Sequence, residues 1–134
     1  MSKPQQNKYN TNLASEFYVL SVLHRLGVEA YLTLGNQKSV DIVVRRGNTH
    51  LTIDVKCNAS KSKWRLKPNT LQDKNHFLIF LSFHNEIENI ESAPEAFIVC
   101  SLDIKSLLSK REISPGITYK KLMAKEKQYR NKWH

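Results

Sequence analysis

The segment from His76 to Phe83 reads HFLIFLSF, a strand-length run in which Ser82 alone interrupts the apolar residues after the opening histidine. A strand that is apolar on both faces must be covered on both sides. It therefore belongs inside a sheet flanked by helices, not on a half-exposed meander. This restricts the chain to a layered α/β architecture. With 134 residues there is material for one domain of ordinary size.

The rest of the sequence can be arranged around that strand. Residues 1–10 read as a polar N-terminal arm, and 11–134 as a single domain. A helix is predicted to start at Thr11 or Asn12 as N-cap. Leu13, Phe17, Leu20, Leu23 and Leu26 recur along it at helical spacing, and Gly27 stops it. Three strands follow, Val28–Leu34, Val40–Arg46 and His50–Cys57. Gly-Asn pairs join them, which favours antiparallel hairpins. Residues 58–75 read as a basic loop with at most one short helix. Glu95–Cys100 is a fifth strand, Ser101 caps a helix through Lys110, and Thr118–Lys132 forms a basic C-terminal helix.

Charge narrows the function. Lys and Arg number 21 against 12 Asp and Glu, a formal net charge of +9. Such a domain is drawn to polyanions. The cations cluster at Lys56, Lys61, Lys63, Arg65, Lys67 and Lys74, and again from Lys120 to Lys132. The stretch from Glu86 to Glu95 is acidic, with no Lys or Arg. No apolar run approaches the ~20 residues of a membrane helix, and the polar start has no signal-peptide character. Cys57 and Cys100 form no CxxC pair, in keeping with a cytoplasmic setting. P-loop, GxGxxG and GxSxG patterns are absent, so neither a nucleotide cofactor nor serine hydrolase chemistry is indicated.

Against this background, four residues break their local pattern. Asp41 interrupts the apolar run Val40 to Val44, and Asp54 interrupts Leu51 to Val55. Aspartate is disfavoured in strands, and two carboxylates in adjacent strands call for a cation between them. Lys56 lies two residues after Asp54, on the same strand face and about 6.6 Å along. Glu16 is predicted inside the apolar stripe of its helix, about 40° from Leu20 and about 20° from Leu23 at ~100° per residue.

Asp41, the hairpin, Asp54-Val55-Lys56 and the preceding helix Glu16 together resemble the PD-(D/E)XK nuclease superfamily. Val40 stands where the motif has proline. The resemblance implies a restriction endonuclease-like αβββαβ core, a mixed sheet flanked by helices. It implies a metal-dependent endodeoxyribonuclease using Mg²⁺, with Mn²⁺ as a substitute. Asp41, Asp54 and the Val55 carbonyl would be ligands. Lys56 would act beside the metal, and Glu16 would hold water or a second metal. Holliday-junction resolvases are one subtype within it, although Asn12 to Ser15 lacks the basic residue they carry.

Lys38, Lys61, Lys63, Arg65 and Lys67 are the expected phosphate contacts. Trp64 is placed to stack on a base or to pack under the loop, and Lys120 and Lys121 to grip nucleic acid from the last helix or to lie on a solvated face of it while Leu122 and Met123 dock on the body. The expected partner is duplex or branched DNA, cut by a homodimer. A non-catalytic nucleic-acid-binding module of the same fold and an RNA-cleaving, toxin-like nuclease remain alternatives, as does a protein whose acidic 86–95 loop meets a basic partner.

Overall fold

The computed structural model describes residues 4–33, 40–58, 63–66, 71–108 and 116–133, with side chains from residue 8 onward. Helix α1 spans Pro4–Arg25. It begins earlier than predicted, so residues 4–10 are helical and Thr11 and Asn12 lie inside the helix. Proline at the opening turn costs nothing there, because that N–H has no intrahelical acceptor. The C-terminus ends as predicted. Gly27 adopts φ +77°, Val28 N–H donates to the Leu23 carbonyl at 2.9 Å, and Gly27 N–H donates to that of His24 at 3.0 Å. This paired closure needs the left-handed conformation that glycine takes without strain.

Strands β1 (Glu29–Leu32), β2 (Ile42–Arg46), β3 (Thr49–Asn58), β5 (His76–Ser82) and β6 (Glu95–Cys100) form one sheet in the order β1-β2-β3-β5-β6. All neighbours are antiparallel except β3 and β5, which run parallel with Asp54 beside Leu78 and Lys56 beside Phe80. The sheet is thus mixed and flanked by helices, as the sequence implies. In the crossover from β3 to β5 the described element is a three-residue strand, β4 (Lys63–Arg65), where the αβββαβ order has a helix. β4 pairs with β7 (Gly116–Thr118) in a separate ribbon, with Trp64 opposite Ile117 and Arg65 opposite Gly116. A side chain at Gly116 would place its Cβ 2.6 Å from the Trp64 carbonyl, so the ribbon closes only on glycine.

Burial follows the sheet's two faces. On one, Val19 and Leu23 of α1 pack on Ile42, Val44, Ile53 and Ile79. On the other, Leu78, Phe80, Phe97 and Val99 meet Trp64, Ile117 and the C-terminal elements. Each such fully buried side chain contributes roughly 1.5–3 kcal/mol. The predicted phase of α1 is off by a step. Its buried line is Ser15, Val19 and Leu23, while Phe17 and Leu26 are about half exposed. Ser15 is tolerated there because its hydroxyl donates to the Thr11 carbonyl at 2.7 Å.

The predicted 101–110 helix is a 3-10 turn, Ser101–Asp103, followed by α2 (Ile104–Leu107). The predicted C-terminal helix is divided into β7, α3 (Tyr119–Met123) and α4 (Glu126–Tyr129). Glu95, read with the acidic loop, is instead a largely buried structural anion. It accepts from Tyr119 Oη at 2.5 Å and lies 3.0 Å from both His84 Nε2 and Arg130 Nε. Together these tie α3 and the chain's end to β6. Among the described residues, no helix is long and apolar enough to cross a membrane.

Candidate active site

β3 is longer than β2. Ile53 is the register partner of Ile42, the first residue of β2, and β3 continues to Asn58. At that step Asp41 N–H also donates to the Ile53 carbonyl, at 3.0 Å. Ile53 thus faces both Asp41 and Ile42, the two-against-one pairing of a β-bulge, which re-aims a side chain where a strand ends. Thr33 completes the turn, its N–H donating to the Asp41 carbonyl at 2.9 Å.

Beyond the bulge, Val55 N–H points toward the edge where β2 has ended. Asp41 Oδ2 takes its hydrogen bond at 2.8 Å. Asp41 therefore grips β3 on both sides of Asp54, through its amide to Ile53 and its carboxylate to Val55. The Val55 carbonyl projects from the same strand edge as its N–H.

A cleft of about 350 Å³ opens at this overhang, and its lining includes Glu16, Asp41, Val55, Lys56, Lys63 and Arg65. Glu16 reaches it from α1 and Lys56 from the opposite face of β3. Lys63 and Arg65 flank Trp64 and project from the ribbon face opposite to it. The structure thus brings both predicted acid-bearing elements, the predicted lysine and two of the predicted phosphate contacts to one place. Lys120 and Lys121 are exposed on α3, which starts one residue after Thr118, the register partner of Lys63. Lys38, Lys61 and Lys67 lie outside the described residues.

Two predicted residues sit differently. Trp64 is 2% exposed, its indole N–H donates to the Leu81 carbonyl at 3.1 Å, and its ring meets Phe80 edge-on at 5.4 Å. It packs beneath the basic strand and is not available to stack on a base. Asp54 is not among the cleft's lining residues. Its Oδ2 lies 3.5 Å from Nε2 of His76, on the face that alternation gives to Thr52, Asp54 and Lys56.

His76 opens the apolar strand β5. It is fully buried, with Nδ1 2.7 Å from Thr52 Oγ1, while Nε2 has no hydrogen-bond partner in standard geometry. Its place at the head of an apolar strand was the available signal. Cys57 borders the cleft half-buried, with Sγ donating to Asn12 Oδ1 at 2.9 Å. Burial pushes its thiol pKa up, and the Glu16 and Asp41 carboxylates push it further, against an opposing hydrogen bond with Ser15.

The bacterial homing endonuclease I-Ssp6803I superposes with a TM-score of 0.53 over 86% of this chain and 74% of its own, at 13% identity. The two share a fold. At that identity the likeness speaks for the architecture, an α/β domain built on a mixed sheet, and not for activity or individual residues. No family model and no curated protein matches the chain.

The donor set limits which metal fits. Among the described residues, no three His, Cys, Asp or Glu side chains gather closely enough to enclose an ion. A closed zinc cage needs such a group. Mg²⁺ needs less, since it binds through one or two carboxylates and keeps several waters. The oxygen donors around the bulge fit that requirement.

Proposed function

We propose that the chain is a Mg²⁺-dependent endonuclease of PD-(D/E)XK type that hydrolyses phosphodiester bonds in DNA. The observation that carries this reading is the meeting of Glu16, Asp41 and Lys56 in one cleft, with Lys63 and Arg65 along it. A protein that only bound phosphate would gain nothing from carboxylates beside it, because they repel the backbone it must hold.

Asp41 and Glu16, which line the cleft, are the carboxylates that would hold the ion, with the Val55 carbonyl beside them, while Asp54, turned toward His76, lies outside that lining. When bound, Mg²⁺ lowers the pKa of a coordinated water and neutralises charge on the scissile phosphate. Lys56 balances the negative charge that builds on the phosphoryl oxygens and orients the attacking water. Glu16 holds that water from the α1 side. Water adds to phosphorus, the bond to the 3′ oxygen breaks, and the products are a 5′-phosphate and a 3′-hydroxyl. Lys63 and Arg65 seat the flanking phosphates, and Lys120 and Lys121 extend the basic track. In I-Ssp6803I the same architecture serves a homing endonuclease.

The test is incubation with supercoiled plasmid, branched DNA and RNA in Mg²⁺ or Mn²⁺. DNA cleavage that EDTA abolishes is the expected result. Tight, salt-sensitive binding with no cutting of any substrate would overturn the reading in favour of a non-catalytic module. Cutting confined to RNA would overturn the DNA assignment.

A further inference from the structure

Helix α1 covers the α1 face of the sheet only in part, and beside it an apolar groove of about 580 Å³ stays open. Its floor is Ile53, Phe77, Ile79 and Ile98, and Trp133 and Leu23 form walls. Arg45, Arg46 and Lys132 also line it. These three are exposed, and none has an ion-pair partner among the described residues. The one carboxylate in the lining, Glu29, accepts a hydrogen bond from Tyr31. The groove is thus greasy within and positive at the rim.

The same chain carries the complementary shape. Between β5 and β6, residues 84–92 form an acidic loop with Ile90 at 96% exposure, flanked by Glu88 and Glu91. Successive turns hold the loop in place. Glu86 N–H donates to the Phe83 carbonyl at 2.8 Å, Asn89 N–H to Glu86 at 2.9 Å, and Ser92 N–H to Asn89 at 3.0 Å. A large apolar side chain displayed on a preorganised loop loses little entropy on docking.

The placement fits a two-fold. The loop leaves the C-terminal end of β5, while the groove floor meets the same strand at Phe77 and Ile79, about 13–20 Å back along it at ~3.3 Å per residue. Two copies stacked face to face with strands antiparallel would bring each loop over the other's groove. Such an interface is self-complementary and closed. We propose that the groove receives the Glu86–Glu91 loop of a second copy of this chain, Ile90 entering the apolar floor and the glutamates meeting Arg45, Arg46 and Lys132. The proposal stands on surfaces remote from the cleft and is independent of the nuclease reading.

Sedimentation of the full chain over a wide concentration range, at low and high salt, tests it. The wild type should form a dimer that high salt weakens. Ile90→Lys, at a side chain too exposed to affect folding, should weaken it on the order of tenfold or more. Charge reversal sharpens the test. Arg45→Glu with Arg46→Glu should be monomeric, as should Glu88→Arg with Glu91→Arg. Mixed together, the two proteins should dimerise, because each loop then meets a groove of opposite sign. A monomer at every concentration overturns the proposal and leaves the groove to a different acidic partner. A dimer indifferent to these changes, or one the mixture fails to restore, overturns it too.

Discussion

Asp41 Oδ2 accepts a hydrogen bond from Val55 N–H at 2.8 Å, so this acid both finishes the β3 ladder and lines the cleft. The two roles separate by substitution. Asp41→Asn keeps an oxygen for Val55 and loses the charge. It should fold with near-native stability and lose cleavage by at least about a hundredfold, a typical cost for a group acting in the transition state. Asp41→Ala should lose cleavage as well and also about 1–2 kcal/mol of stability from the unpaired donor. Denaturant melts beside plasmid cleavage check both.

Glu16 and Lys56 enter the cleft from opposite faces of the sheet. Glu16→Gln and Lys56→Met should each lower kcat by roughly a hundredfold or more while leaving DNA affinity within a few-fold. Arg65→Ala should do the reverse, weakening binding and reducing its salt slope by about one. Single-turnover cleavage and binding titrations at several salt concentrations separate the two effects. An equal loss of affinity in the Glu16 and Lys56 variants would show that they bind and do not act.

What the sequence disclosed followed from local rules. The apolar run at His76 and the segment Glu95–Cys100 declare themselves as strands because burial dictates their composition. Gly27 marks a helix end because only the left-handed closure needs it there. The acids at Asp41 and Asp54 stood out by breaking strand patterns, and Asp54-Val55-Lys56 fixed their relation along β3.

Tertiary packing determined the rest. Which line of α1 is buried depends on where the helix lies across the sheet, and Ser15 rather than Phe17 faces inward. β4 is too short to have a period. It exists because Trp64 is buried and Gly116 admits its backbone. The tilt of Asp54 toward His76 comes from the β3–β5 register, a contact across 22 positions of sequence that no local pattern encodes.

Trp64→Phe keeps most of the apolar contact but loses the hydrogen bond to the Leu81 carbonyl. It should cost about 1 kcal/mol. Trp64→Ala should cost about 3–5 kcal/mol through the cavity left against Phe80 and Phe97. Urea unfolding measures both. If Trp64→Ala left stability unchanged but removed DNA binding, the ring would have to be reaching substrate.

The Cys57 thiol reports on the cleft without any need for turnover. Its pKa is raised by burial and by the Glu16 and Asp41 carboxylates, so it should react slowly with a disulfide reagent at mildly alkaline pH. Glu16→Gln and Asp41→Asn should each lower its pKa and speed the reaction. A reagent rate that neither change moves would place the carboxylates farther from the thiol than the structure has them.

Tyr119 should resist ionisation. Burial and its hydrogen bond to Glu95 push its pKa up to about 12 from the ordinary 10.0. The folded state therefore holds this proton more tightly than the unfolded chain. Its contribution to stability is complete below about pH 10 and is lost as pH rises toward 12. Absorbance titration should show a phenol ionising near pH 12, and Tyr119→Phe should reduce that late phase by one phenol, since Tyr129 and Tyr31 are also raised. A titration in which every tyrosine ionises near pH 10 would contradict the Glu95 contact.

Because Trp64 lies in the interior while its neighbours Lys63 and Arg65 look outward, the proposed hold on substrate would be anchored from within. Changes at Phe80, Leu81 or Phe97, none of which meets solvent, would tilt the two cations on either side of that ring. Selection for tighter or looser grip can then act on hydrocarbon as readily as on charge, and variants recovered for altered affinity need not map to the surface at all.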